Sequence, residues 1–216
     1  MRVKTCCISS IDEARLAKAH GADLLGLVGH MPSGPGIISD DQISDIATEI
    51  RGISTVLLTS EETTEGVVNH WDRVRTSHIQ IVRSIPVQIL QRIKKELPAI
   101  PLLYVVHVEN MEAITIAKTA ADYADFILLD SGKPDTATPT LGGTGTTHDW
   151  SISARIVEQT NIPVFLAGGL TAVNVRRAIS SVKPYGVDLC SGIRSEGQLD
   201  EFKLSSFMKA VKNTDE

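Results

Sequence analysis

Short apolar runs alternate with longer amphipathic segments from one end of the chain to the other. Runs near 2–8, 23–28, 53–58, 78–82, 101–107, 125–130, 162–167 and 186–190 are rich in Ile, Val and Leu. Their length and bounding turn residues predict buried strands. Between them the period changes to that of a helix. Residues 11–20 space Ile11, Ala14, Ala17 and Ala19 along one face, with Ser10 or Asp12 to cap the start. Residues 86–97 do the same with Val87, Leu90, Ile93 and Leu97, and Pro86 suits a first turn. Segments 40–51, 61–75, 110–121, 149–160, 171–181 and 200–212 follow suit. Eight strands, each followed by a helix, predict an α/β fold: one (β/α)8 TIM barrel spanning residues 1–216 as a single domain. A six-stranded doubly wound sheet is the rival, and no G-x-G-x-x-G turn follows the first strand to favour it.

The longest connections, 29–39 and 131–147, follow strands 2 and 6. In a barrel both sit at the carboxyl mouth, and loops of this length in a compact domain are usually functional.

Composition sharpens this picture in three ways. With 42% hydrophobic but only 4% aromatic residues, the core is aliphatic. The net charge of −5 argues against a general affinity for nucleic acid, yet leaves room for a small anion in a local site. No stretch approaches the roughly 18 apolar residues of a membrane span, and Met1-Arg2-Val3-Lys4 does not open a signal peptide. Three cysteines cannot all pair, and the adjacent Cys6 and Cys7 are poorly disposed to bridge. A reduced, cytoplasmic setting is therefore expected.

Three glycine turns carry the first candidate chemistry. Gly142-Gly143-Thr144-Gly145-Thr146 runs toward a predicted helix, Ala167-Gly168-Gly169-Leu170-Thr171 closes strand 7, and Ser191-Gly192-Ile193 closes strand 8. Glycine lets backbone N–H groups approach an anion closely. One such pair needs to do no more than turn the chain. Three, two of them after strands 7 and 8, point to Gly143, Gly145, Gly168, Gly169, Ser191 and Gly192 as a phosphate site.

At this point the chain resembles the phosphoribosylanthranilate isomerase family. The resemblance rests on Val3-Lys4-Thr5-Cys6, Ala22-Asp23-Leu24-Leu25-Gly26, Leu128-Leu129-Asp130-Ser131 and Gly142-Gly143-Thr144-Gly145-x-Thr147-x-Asp149-Trp150. It continues through Leu166-Ala167-Gly168-Gly169-Leu170-Thr171, Asn174-Val175, Pro184-Tyr185-Gly186-Val187-Asp188 and Ser191-Gly192, in family order. The middle, about 53–124, matches poorly.

The resemblance implies an Amadori rearrangement of an aminoaldose phosphate to an aminoketose phosphate in tryptophan biosynthesis. That chemistry needs an acid to open the ribose ring and a base to move the C2 proton. It implies Cys6 as base, Asp130 as acid, a small phosphorylated substrate, and no metal or organic cofactor. Read without it, Cys6 is equally a small core residue, and Asp130 a turn acid or cap. Strand alternation puts Cys6 and Cys7 on opposite faces, with Lys4 sharing the face of Cys6, where it would favour the thiolate unless it lies too deep.

The departures from the family gather on the side of the substrate's amine. Members usually carry S-P-R-Y-V-S after strand 2, whose Arg is expected to engage the anthranilate carboxylate; here the stretch reads Ser33-Gly34-Pro35-Gly36-Ile37-Ile38-Ser39. Cys7 stands where the family usually has glycine, and Arg194 where it usually has Glu. Arg83, at the end of strand 4, is a candidate for a relocated carboxylate partner. His30 and His107 also fall at predicted mouth positions, neither with metal-ligand spacing to a second histidine, and Asp188 is a further candidate substrate contact. Two other readings stay open: an isomerase for a different phosphoribosyl-amine, and a barrel that binds a phosphate ligand without catalysis. A monomer or a homodimer is expected.

Overall fold

The computed structural model describes residues 1–32, 34–132 and 147–212. Eight parallel strands close into a barrel in sequence order. They are β1 (Arg2–Thr5), β2 (Leu24–Val28), β3 (Ser54–Thr59), β4 (His78–Ile81), β5 (Leu102–His107), β6 (Phe126–Asp130), β7 (Val164–Leu166) and β8 (Gly186–Leu189). Closure is made where β1 pairs with β8, Val3 beside Val187 and Thr5 beside Leu189. The helices are α1 (Ile11–Ala19), α2 (Asp40–Glu49), α3 (Thr64–Val74), α4 (Val87–Glu96), α5 (Glu112–Ala120), α6 (Trp150–Gln159), α7 (Val175–Val182) and α8 (Glu201–Lys212). The predicted α/β barrel is the observed one.

Strand alternation sorts the core into two layers. On β2, Leu25 and Leu27 pack with Ala14 and Ala17 of α1 and with Ile43 and Ile46 of α2. Leu24 and Val28, on the other face, meet Val56, Leu58, Leu103, Val105, Leu128 and Phe165, a cluster containing no residue of any helix. This second layer fills the barrel interior. Each fully buried Leu, Ile or Val contributes about 1.5–3 kcal/mol, so both layers hold the ring that positions the mouth loops.

Local chemistry sets the element ends. Ser10 caps α1, its hydroxyl accepting from the Glu13 N–H at 3.2 Å. Ser39 and Gln42 form a capping box at α2. Helix α7 begins at Val175 rather than 171, because Asn174 first closes a turn: its Oδ1 accepts from Thr171 N–H at 2.8 Å and its Nδ2 donates to Gly169 O at 2.9 Å.

Two expectations for the start of the chain are corrected. The first strand ends at Thr5, not residue 8, and Cys7 adopts a left-handed φ of 64°. The alternation that would separate Cys6 from Cys7 stops there, and both thiol-bearing residues lie in the interior cluster. Cys7 is also bridged to Cys190, 183 residues away, with a Cα–Cα distance of 5.9 Å. Adjacency to Cys6 does not prevent pairing, because the partner arrives from the far end of the sequence, brought alongside by the β1–β8 closure. Among the described residues no helix is long and apolar enough to cross a membrane.

Candidate active site

A cavity opens at the carboxyl ends of the strands, with Cys6, Asp130, Asp188, Gly168, Gly169 and Ser191 all on its wall. Cys6 follows β1, and its N–H donates to Leu189 O at 2.8 Å, which ties it to β8. Beneath it Lys4 is fully buried, its Nζ donating to Asp188 Oδ1 at 2.9 Å. Gly26 makes room for both groups: a β-carbon there would meet Cys6 Sγ at 2.8 Å and Lys4 Nζ at 3.1 Å. The Cys6 thiol, on the cavity wall, and the Lys4 ammonium beneath it therefore sit side by side.

Electrostatics differ sharply between the two candidate proton carriers. Burial, opposed by the Lys4 ammonium, pushes the Cys6 thiol up to about 11. Burial likewise raises the Asp130 carboxyl above the usual carboxylate range, against the pull of the Ser131 N–H. That N–H donates to Asp130 Oδ1 at 2.7 Å. Burial alone would lower Lys4, but Asp188 and Cys6 outweigh it and raise its proton affinity, so the ammonium persists.

At the opposite rim, Gly168 and Gly169 take positive φ values of 84° and 61°. A β-carbon on Gly168 would press on Ser131, 2.9 Å from its Oγ. Gly192 follows Ser191 and lies against the Leu170 carbonyl, which again leaves no room for a side chain. The turns after β7 and β8 are thus packed against one another beside the cavity.

Some expected residues lie elsewhere. The Arg83 side chain turns away to Glu62, with Nε to Oε1 at 2.6 Å, and is not on the cavity wall. His30 is exposed and also off the wall; its carbonyl accepts from Ser60 Oγ at 3.1 Å. His107 lies outside it too, its Nε2 3.1 Å from Val82 O. Gly143 and Gly145 fall outside the described residues.

Other parts of the site escaped the sequence reading. Val28, Met31, Leu58 and Val82 form an apolar wall, and Gln80 stands among them. Its position on the inward face of β4 was the available signal. Arg194 anchors the β1–α1 loop, donating to both Glu13 oxygens at 3.1 and 3.0 Å and to the Cys7 carbonyl. Burial would raise Glu13, but Arg194 and the Ser9 and Leu199 N–H groups outweigh it and hold the carboxyl low. The departure at 194 is therefore matched by a half-buried partner at 13.

A closed eight-stranded barrel with an acid, a thiol and glycine turns gathered at its carboxyl mouth defines a (β/α)8-barrel enzyme. Residues 3–210 match the family of N-(5'-phosphoribosyl)anthranilate (PRA) isomerase, and the chain belongs to that family. It is 33% identical to N-(5'-phosphoribosyl)anthranilate isomerase of Methanocella arvoryzae over 99% of both chains. The fold is similar to the crystal structure of phosphoribosyl anthranilate isomerase from Thermotoga maritima, with a TM-score of 0.84, 28% identity and 99% of each chain covered. It is also similar, at a TM-score of 0.82, 26% identity and 99% coverage of each chain, to a phosphoribosyl anthranilate isomerase in complex with reduced 1-(o-carboxyphenylamino)-1-deoxyribulose 5-phosphate.

Proposed function

We propose that this chain catalyses the Amadori rearrangement of N-(5'-phosphoribosyl)anthranilate to the carboxyphenylamino-deoxyribulose phosphate of tryptophan biosynthesis, with Asp130 as acid and Cys6 as base. The observation that carries the reading is that Cys6 and Asp130 face one cavity whose other rim is built from the Gly168–Gly169 and Ser191 turns.

The steps follow from the chemistry of the groups. Asp130, with its proton held by burial, protonates the ribose ring oxygen, the C1–O bond breaks, and the nitrogen lone pair forms C1=N. Cys6, as thiolate beside the Lys4 ammonium, takes the C2 proton, and the electron pair moves to neutralise the iminium nitrogen. The resulting enolamine becomes the ketone as the Cys6 thiol delivers its proton to C1 and the C2 hydroxyl gives up its own, which restores the acid at Asp130. The phosphate rests on the N–H groups around Gly168, Gly169, Ser191 and Gly192, with Gly143 and Gly145 as further candidates. Asp188 holds Lys4 in place. The reading takes the chain as one cytoplasmic barrel domain, monomeric or homodimeric, with no nucleic-acid partner.

A second reading keeps this chemistry and changes the amine. It is favoured by one observation: among the described residues that line the cavity there is no Lys or Arg to pair with a carboxylate.

Turnover of freshly generated phosphoribosylanthranilate, followed by loss of its fluorescence, tests the main reading on wild type, Cys6→Ser and Asp130→Asn. Wild-type turnover abolished by both changes is the expected result. Turnover unaffected by either change would remove the assigned roles, and a silent wild type would move the search to other phosphoribosyl-amines.

A further inference from the structure

The cavity contains one polar side chain that the proposed chemistry does not use. Gln80 lies on β4, paired in register with Leu58 of β3 and Leu103 of β5, and both neighbours belong to the interior cluster. It is only 4% exposed, and its Oε1 is buried without a hydrogen-bond partner among the described residues. Around it the wall is apolar, from Val28, Leu58, Val82 and Leu128. An amide oxygen left unpaired in such surroundings is costly, and native interiors rarely retain one unless a ligand completes it.

Position tells which part of the ligand that is. In a ring of eight strands β4 stands opposite β8, and the Ser191 turn follows β8. A ligand with its phosphate at the β7–β8 rim and its ribose between Cys6 and Asp130 directs its amine toward β2–β4. Among the described residues that line the cavity, no cation meets it there. Arg83 is held by Glu62, and Gly36 has no side chain.

We propose that Gln80 is the specificity residue for the amine portion of the substrate, its neutral amide hydrogen-bonding the polar group ortho to the nitrogen. The proposal rests on the isomerase reading for the ligand's orientation. An amide donates through N–H and accepts through C=O: the unpaired Oε1 accepts from a carboxamide N–H, and a carboxylate is served by the Nε2 donors once the amide turns over, so both groups find a partner. A guanidinium, with donors only, would favour the carboxylate. The chain therefore discriminates weakly between the two and selects against an aromatic amine lacking either.

The test uses unreactive ligands, so that it does not depend on catalysis. Reduced aminodeoxyribitol phosphates carrying anthranilate, anthranilamide or aniline are titrated calorimetrically into wild type, Gln80→Met and Gln80→Glu. Wild type is expected to bind the first two within about 10-fold of each other and the aniline compound about 10- to 100-fold more weakly, the range of one charge-assisted hydrogen bond. Gln80→Met should erase that advantage and leave the aniline compound unchanged. Gln80→Glu, nearly equal in volume, should weaken the anthranilate compound more than the anthranilamide one. Equal weakening of all three ligands, no change in any, or no binding by wild type would each overturn the proposal. Discrimination that depends on Gln80 without turnover of phosphoribosylanthranilate would instead overturn the isomerase reading alone.

Discussion

Gly36 and Cys7 occupy what is in effect one side-chain site between them. A β-carbon on Gly36 would stand 2.5 Å from the Cys7 Cβ and 2.9 Å from its Cα, and Gly36 already has a φ of 76°. The family pattern has glycine at 7 and arginine at 36; here the side chain is on the other partner, and its sulfur is bridged to Cys190.

Restoring the arginine alone should therefore fail. Gly36→Arg is expected to destabilise the chain by roughly 2–4 kcal/mol, from left-handed backbone and overpacking against Cys7. Cys7→Gly together with Gly36→Arg should recover much of the packing loss, although it removes the bridge. Urea unfolding of both variants measures this; equal stability of Gly36→Arg and wild type would remove the coupling.

The pH dependence follows from the two raised groups. Activity needs a thiolate at Cys6, which titrates at about 11, and a protonated Asp130, which loses its proton at lower pH. Between the two values one fraction rises tenfold per unit as the other falls tenfold, so their product stays level. The expected kcat/KM profile is a plateau through neutral pH, falling tenfold per unit below the Asp130 value and above about 11. A narrow bell centred near pH 7 would show that these groups are not the pair at work.

Lys4 should set the height of that plateau. Removing its ammonium raises Cys6 further, and each unit lowers the thiolate share about tenfold. Since an unpaired Asp188 in this interior would cost about 3–5 kcal/mol, the variant to make is Lys4→Met with Asp188→Leu. Its plateau is expected about 10-fold or more below wild type, with the alkaline fall moved to higher pH. A lower plateau with an unmoved alkaline edge would indicate a purely structural role.

The Cys7–Cys190 bridge joins the first and last strands' loops across 183 residues. Long loops gain most from such a constraint, so Cys190→Ser is expected to cost about 2–5 kcal/mol under oxidising conditions. With reductant present, wild type should fall to a comparable stability. Thiol titration of unfolded, unreduced protein should find Cys6 alone; three free thiols would show that the bridge does not form.

The barrel was legible in the sequence because each element carries its own signal. The continuous apolar run Leu24–Val28, the Ser10 cap and the helical spacing of Leu90 and Ile93 need no distant partner to be read. Strand order followed from the alternation of strands with helices, and the family resemblance singled out Cys6 and Asp130. What remained hidden depends on pairs remote in sequence. Cys7 meets Cys190, Gly36 yields space to Cys7, Arg194 pairs with Glu13, and Arg83 turns to Glu62 rather than to the cavity. A side chain's periodicity says which face it takes, but its partner, its proton affinity and the space around it are set by whatever the closed ring brings beside it. Gln80 is the clearest case: its place on strand 4 was all the sequence offered, and only the folded ring left its Oε1 buried without a hydrogen-bond partner among the described residues.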